Sequence, residues 1–292
     1  MFLQQLINGL TLGSTYALVA IGYSLIFSVL ELVNFANGSL YMLGGYITLM
    51  VYLRTGINFV FALIISLILA GIIGLSVDLF TLRPLRNKNA PRQAFIIATL
   101  GVGIIIDNLI QIIFGSETKR FPNMINLGKF TIGGAIISWT QVIIFFTSVI
   151  LMATVSIFIY KSKVGKAMRS TAQNAEAARL MGINVQGIIA STFFIASILS
   201  AIAATLISMY YQTIDVNMGF QVGMKTFSAA VLGGVGILPG AMFGGIIIGV
   251  LESLGAGYIS SGYTDAISFS ILIFVLLIKP EGIFGNPEID KL

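Results

Sequence analysis

The stretch Lys161–Ile183, KSKVGKAMRSTAQNAEAARLMGI, is the longest polar run in a chain that is otherwise almost continuously apolar. It carries Lys161, Lys163, Lys166, Arg169 and Arg179 against one acid, Glu176, and its many alanines and lack of proline predict a helix. Apolar segments long enough to cross a bilayer lie on both sides of it, at about 139–160 and 187–210. A basic loop between two such spans belongs in cytosolic water. A helix held there, clear of the bilayer, is placed to touch a partner rather than to hold a membrane domain together. The fold class that follows is an all-α polytopic membrane protein.

Composition agrees. Of the 292 residues, 57% are hydrophobic and 9% charged, where a soluble domain carries about 25% charged residues. The mean hydropathy is +0.99. There is no cysteine, so disulfides and thiolate chemistry are excluded, and no histidine, which removes the commonest general base and metal ligand. The net charge of +5 comes mostly from two loops and acts as an orientation signal, not a nucleic-acid signal. Glu31 is the first charged side chain, so residues 6–28 lack the basic start of a secretory leader and are expected to stay as a membrane helix.

About eight spans are expected, near 6–28, 36–53, 59–80, 94–115, 139–160, 187–210, 225–254 and 264–279. With no linker or soluble module between them, 1–292 reads as a single transmembrane domain. A second basic loop, 83–92 (RPLRNKNAPR), lies two spans before the first, which puts both on the cytoplasmic side, segment 116–138 outside as a small cap, and the N-terminus outside. The segment 225–254 is rich in glycine around Pro239 and is expected to break or kink. If it makes two half-spanning pieces, the tail changes sides. The tail charges Lys279, Glu281, Glu288, Asp290 and Lys291 do not decide which.

Gly9/Gly13, Gly236/Gly240/Gly244 and Gly245/Gly249 sit four apart and suit close helix packing in lipid. The interruption at Gly236 and Pro239 could instead line a path, since irregular backbone at membrane depth must face protein or water. Asp107, Asn108 and Gln111 lie mid-span on roughly one helix face. Glu252 sits near the end of the broken span, Asp78 near the end of another, and Asn34 and Asn37 flank a turn after Glu31. Each could contact a passing solute or satisfy a neighbouring helix. In the basic stretch, Ala172, Ala175, Ala178 and Met181 form a mildly apolar stripe, and Gly182 is placed to cap the helix. No paired carboxylates with a base, no metal-ligand set and neither Gly-rich phosphate loop is present, so no enzyme activity, cofactor, metal or ATP site is expected in this chain.

The sequence EAARLMG (176–182) resembles the Glu-Ala-Ala…Gly coupling loop of ABC importer permeases. The chain as a whole resembles the branched-chain amino acid permeases, H-type, from end to end: NGLTLGSTYALVAIGYSLIF (8–27), VNFANGSLYMLGGY (33–46), RPLR (83–86), 165–184, MKTFSAAVLGGVGILPGAMFGG (224–245) and KPEGIFG (279–285). The resemblance implies a multi-pass cell-membrane subunit of an ATP-driven importer for Leu, Ile or Val. Its implied partners are a second, related permease, two cytosolic ABC ATPases and an extracytoplasmic amino-acid-binding protein. It also implies that Gly165, Arg169, Ala172, Glu176, Ala177, Ala178, Arg179 and Gly182 belong to the ATPase-coupling element, and that the C-terminus is cytoplasmic. Where the family has Asn-Phe-Ala-His-Gly, this chain has Asn37 in place of the histidine. Permeases similar to these carry urea or short amides, which stands as the alternative within the class. The alternative outside it is a carrier or channel that works without ATP.

Overall fold

Twenty-residue runs of apolar side chains in a bilayer have one economical conformation, a helix that satisfies its own backbone. A computed structural model describes residues 1–122 and 128–285 and bears this out. In chain order the helices are α1 (Phe2–Leu30), α2 (Ala36–Thr55), α3 (Phe59–Val77), α4 (Arg83–Asn87), α5 (Arg92–Phe114), α6 (Trp139–Lys161), α7 (Lys163–Gln173), α8 (Ala175–Leu180), α9 (Val185–Tyr211), α10 (Met218–Gly233), α11 (Leu238–Tyr258) and α12 (Thr264–Ile278). A π-helical turn, Asp78–Leu82, joins α3 to α4, and a 3₁₀ turn, Ser261–Tyr263, leads into α12. Among the described residues, seven stretches are long and apolar enough to cross a membrane: 2–30, 59–87, 92–114, 139–161, 185–211, 238–258 and 261–278. The chain is an all-α multi-pass membrane protein.

Helix α1 is the central post and is buried over most of its length. Against it, α11 runs antiparallel at backbone contact. A Cβ on Gly9 would stand 2.6 Å from Val250 Cα, and one on Gly13 would stand 2.8 Å from Ile246 Cα. Gly245 and Gly249 meet Ala17 and Gly13 still more closely. The four-residue glycine spacing is therefore a packing device, as small residues at that period are in lipid. Helices α2, α9 and α10 complete the inner layer, and α3 packs on α2 and α9 with its other side exposed. Polar side chains pin these helices: Ser66 Oγ donates to the Gly44 carbonyl at 2.8 Å, and the Thr48 and Thr205 hydroxyls share a hydrogen bond at 3.0 Å. Helices α5, α6 and α12 turn exposed Ile, Leu and Phe side chains outward.

The glycine-rich segment is not one span from 225 to 254. The first helix begins earlier, at Met218, and ends at Gly233; the chain then turns through Gly234–Ile237 and returns as α11. Gly234 and Gly236 carry φ of +105° and +84°, which L-side chains rarely adopt. Pro239 stands in the first turn of α11, where its missing N–H costs nothing, so it starts a helix instead of kinking one. Extra helix 218–233 reverses the tail: the Ile283 and Phe284 amides donate to the Leu232 and Gly233 carbonyls at 2.8 and 3.3 Å. The tail thus ends beside the Gly234–Ile237 turn, at the same end of the bundle as α7. Glu288, Asp290 and Lys291 lie outside the described residues.

Both basic loops share that end, with Gln186 Nε2 donating to Asn87 Oδ1 at 3.1 Å. At the opposite end, around the start of α1, four short strands make a small cap. β1 (Lys119–Arg120) pairs antiparallel with β4 (Thr213–Ile214), and β2 (Lys129–Ile132) with β3 (Ala135–Ser138). The second pair closes on Gly133 and Gly134, both at positive φ, as a two-residue hairpin turn demands. Gln4 holds β3 to α1 through its side-chain amide, with Nε2 donating to the Ile136 carbonyl at 3.0 Å and Oε1 accepting from the Ile136 amide at 2.8 Å. Within the expected external segment 116–138, residues 123–127 lie outside the described ones.

The α1–α11 contact makes a direct prediction. Gly13→Leu forces the two backbones apart, and overpacking of this kind costs about 1–3 kcal/mol or more. Gly101, on α5, has nothing within 4 Å of an added Cβ. Gly101→Ala should therefore leave the melting temperature in detergent unchanged or raised, whereas Gly13→Leu should lower it sharply and reduce the yield of monodisperse protein.

Candidate functional site

The basic stretch folds as two helices, not the single one its composition predicts. Asn174 ends α7 and starts α8 in an extended conformation (φ −161°, ψ 106°), and its Oδ1 accepts from the Ala177 amide at 2.9 Å. An Asn side chain that caps the next helix competes with continuing the first. The break dissolves the expected Ala172–Ala175–Ala178–Met181 stripe: Ala172 is half-buried, Ala178 buried, and Ala175 and Met181 exposed.

Helix α7 is the base of the element. Ser162 caps it by accepting from the Gly165 amide at 2.9 Å. Gly165 lies so close to the Ile159 backbone that no Cβ fits. Arg169 does not project outward: Nη1 donates to the Ile159 carbonyl and the guanidinium sits 5.3 Å from the Tyr160 ring centroid. Met168 and Thr171 bury inward. A cavity of about 280 Å³ separates α7 from the Gly236–Leu238 turn and from Leu25 and Ser28 of α1.

Helix α8 is the tip. The Gly182 amide donates to the Arg179 carbonyl and the Ile183 amide to the Ala178 carbonyl, both at 3.0 Å, with Gly182 at φ +82°. These paired bonds close a helix C-terminus. Gly182 is needed for that φ and not for proximity, since nothing stands within 4 Å of an added Cβ. Glu176, Ala177 and Arg179 are exposed. So are two apolar side chains that the sequence reading did not single out together, Leu180 at 89% and Met181 at 83%.

The other sequence candidates fall in separate places. Asn34 and Asn37 are buried where α2 begins. Asn34 Oδ1 accepts from the Ala36 amide at 3.1 Å, and Ser200 Oγ donates to Asn37 Oδ1 at 3.3 Å. Both Nδ2 groups lack a hydrogen-bond partner. Asp107 faces the same region, with Ser39 within hydrogen-bonding reach. Asn108 and Gln111 lie instead on the exposed side of α5, where Asn108 Nδ2 returns to the Ile104 carbonyl at 2.7 Å. Gly236 lies in the turn beneath α7, and Pro239 in the first turn of α11. Asp78, which the sequence placed near an interface, is fully buried and paired with Arg86 at 2.6 Å.

Glu252 forms a cluster that sequence reading missed. Lys225 Nζ stands 2.7 Å from both Glu252 Oε1 and Asp265 Oδ1, joining α10, α11 and α12. Lys225 and Glu252 are buried and Asp265 is half-exposed. Lys225 escaped notice because it sat at the drawn edge of the 225–254 span; it lies inside α10. The cluster lines a cavity of about 610 Å³ at the cap end of the bundle, with Tyr16, Tyr211, Asp215 and Gln221 on its walls.

Comparison with known proteins accords with this geometry. Residues 5–276 match the family model described as branched-chain amino acid transport system / permease component. The chain is 39% identical to the high-affinity branched-chain amino acid transport system permease protein LivH of Salmonella typhimurium, over 100% of this chain and 98% of that one. It is equally 39% identical to BraD of Pseudomonas aeruginosa, over the same shares of both chains. A probable LivH of Methanocaldococcus jannaschii is 30% identical over 92% of this chain and 88% of its own. In fold, the chain is similar to PsaBC from Streptococcus pneumoniae solved with a Fab, with a TM-score of 0.50 at 15% identity, covering 97% of this chain and 94% of that one. The chain belongs to the family of branched-chain amino acid transport system permease components, and is a transport permease subunit of a cell membrane.

Proposed function

We propose that this chain is one permease of an ATP-driven importer for Leu, Ile or Val, acting as a single transmembrane domain with no catalytic residues of its own. The observation that carries the coupling half of this reading is α8: a helix capped at both ends that holds Leu180 and Met181 almost wholly in water. Exposed apolar side chains on a rigid, basic mount fit a groove on a cytosolic partner better than they fit solvent. That partner is an ABC ATPase, one for each of two permeases. The substrate half rests on relatives whose names specify branched-chain amino acid transport.

The second permease covers α5. Asn108 and Gln111 project from its outward side among exposed Ile104, Ile105 and Ile112, and amides at mid-span are better served by protein or water than by hydrocarbon. Asn34, Asn37 and Asp107, on the adjoining inner side, are the residues placed to meet solute there. Movement enters at α8 and passes to α7. Arg169 fixes α7 to the end of α6, and α7 lies across a small cavity from the α10–α11 turn. A rigid-body shift of that element re-packs the inner ends of α1, α10 and α11 and so alternates access to the path. An extracytoplasmic binding protein delivers the cargo at the cap end.

Two measurements follow. Replacing both Leu180 and Met181 with Asp should cut leucine uptake at least about tenfold in proteoliposomes containing ATPases and binding protein, while surface changes of this kind move stability within about 0.5 kcal/mol. Gly182→Val, which puts a β-branched side chain at φ +82°, should likewise abolish uptake while the chain still inserts and purifies intact. Uptake that persists without ATP in either variant contradicts the importer reading and favours a carrier. Stimulation of ATP hydrolysis by urea- or amide-loaded binding protein, and not by Leu, Ile or Val, would move the substrate to the amide class.

A further inference from the structure

The cavity at the cap end has a mixed lining. In it, Lys225 commits two of its three protons, one each to Glu252 and Asp265, both at 2.7 Å. Glu252 is 6% exposed, yet its second oxygen, Oε2, has no hydrogen-bond partner. A buried carboxylate oxygen left without a donor is costly, and charged groups at membrane depth are rarely kept for packing alone. One spare ammonium proton and one unpaired carboxylate oxygen therefore stand side by side in the cavity, with the Tyr16 hydroxyl close to Glu252. Leu12, Ile207, Met218 and Val222 add apolar lining to the same cavity.

A spare ammonium proton beside a spare carboxylate oxygen is the complement of a zwitterion, whose carboxylate and ammonium are one carbon apart. The apolar lining residues are the complement of an aliphatic side chain. The volume, about 610 Å³, falls within the range of small-molecule sites. The cavity also opens where cargo would arrive: Gln5 and Asn8, near the start of α1, and Ser261, before α12, line its rim, at the end opposite α7 and α8. We propose that the cavity between α1, α9, α10, α11 and α12 is a receiving site for a free α-amino acid with an aliphatic side chain, with Lys225 taking the carboxylate and Glu252 the ammonium. This assignment rests on the importer reading above.

The same ion cluster sets the shape of the site. Asp265 holds the start of α12, a helix with most of its surface outward, against α10. The amides of Ile283 and Phe284 hold its far end. Helix α12 is thus the outer wall of the cavity, clamped at both ends, and Asp265 positions it without being required to touch the ligand.

The test uses the full-length chain, purified from membranes with its partner subunits and free of binding protein, and radiolabelled leucine as the probe. Saturable binding is expected, displaced by unlabelled valine and isoleucine. 4-Methylpentanoate, which lacks the ammonium, and 3-methylbutylamine, which lacks the carboxylate, should not displace it. Glu252→Gln should weaken binding at least about tenfold with the melting temperature held, a loss equivalent to about 1.4 kcal/mol. Met218→Trp, which enlarges an apolar lining residue, should weaken leucine more than alanine. Absence of saturable binding, displacement by 4-methylpentanoate as good as by leucine, or parent-like binding in both variants would each overturn the assignment. Leucine uptake by the same preparations separates the two claims: uptake that stays ATP-dependent and parent-like in Glu252→Gln removes the receiving site and leaves the importer reading standing.

Discussion

Backbone contact between α1 and α11 is the constraint on which the other features hang. Gly9, Gly13, Gly245 and Gly249 bring the two helices together with no side chain between them. In lipid there is little hydrophobic drive to associate helices, so close van der Waals approach must supply it. Once α11 is fixed against α1, its inner end sits at Phe27 and Ser28, where the Gly234–Ile237 turn must fall. Its outer end places Glu252 and Ser253 beside Gln5 and Tyr16. Helix α10 follows from the turn, Lys225 from α10, and the position of α12 from Lys225.

The inner end of the bundle is built differently. There α7 lies against α1 and α9, held by Gly165, by Arg169 on the Ile159 carbonyl and by Met168 beneath. Helix α8 stands apart from this base at Asn174. The base packs on the bundle, and the tip presents exposed Leu180 and Met181.

Much of this could be read from sequence, and the losses have particular causes. Spans near 6–28, 59–80, 94–115, 139–160, 187–210 and 264–279 are legible because hydropathy and length suffice. The break between α10 and α11 is legible in the glycines around Pro239, but its bounds are not: Gly-Val-Gly-Ile is as apolar as the helices it joins, and the positive φ values at Gly234 and Gly236 mark the turn. Lys225 stands at the first position of the expected 225–254 span, and its pairing with two acids, one of them forty positions away, leaves no local trace. The break at Asn174 needed its capping bond, which competes on nearly equal terms with helix continuation. Gly182 was legible because a helix-ending glycine has a strong positional signature. Among the polar candidates, periodicity grouped Asp107 with Asn108 and Gln111, but the neighbouring helix decides which of them is covered.

The central claim is that α8 docks on an ATP-binding partner. The chain has no cysteine, so Leu180→Cys creates a single thiol at the exposed tip. Short-span thiol cross-linking in native membranes, with the product identified by mass spectrometry, reads the contact directly. The account predicts a cross-link to an ABC ATPase subunit whose yield changes when ATP is added and hydrolysis blocked. A thiol at position 180 that labels freely with a water-soluble maleimide in the assembled, transport-competent complex, and captures no ATPase, would contradict it.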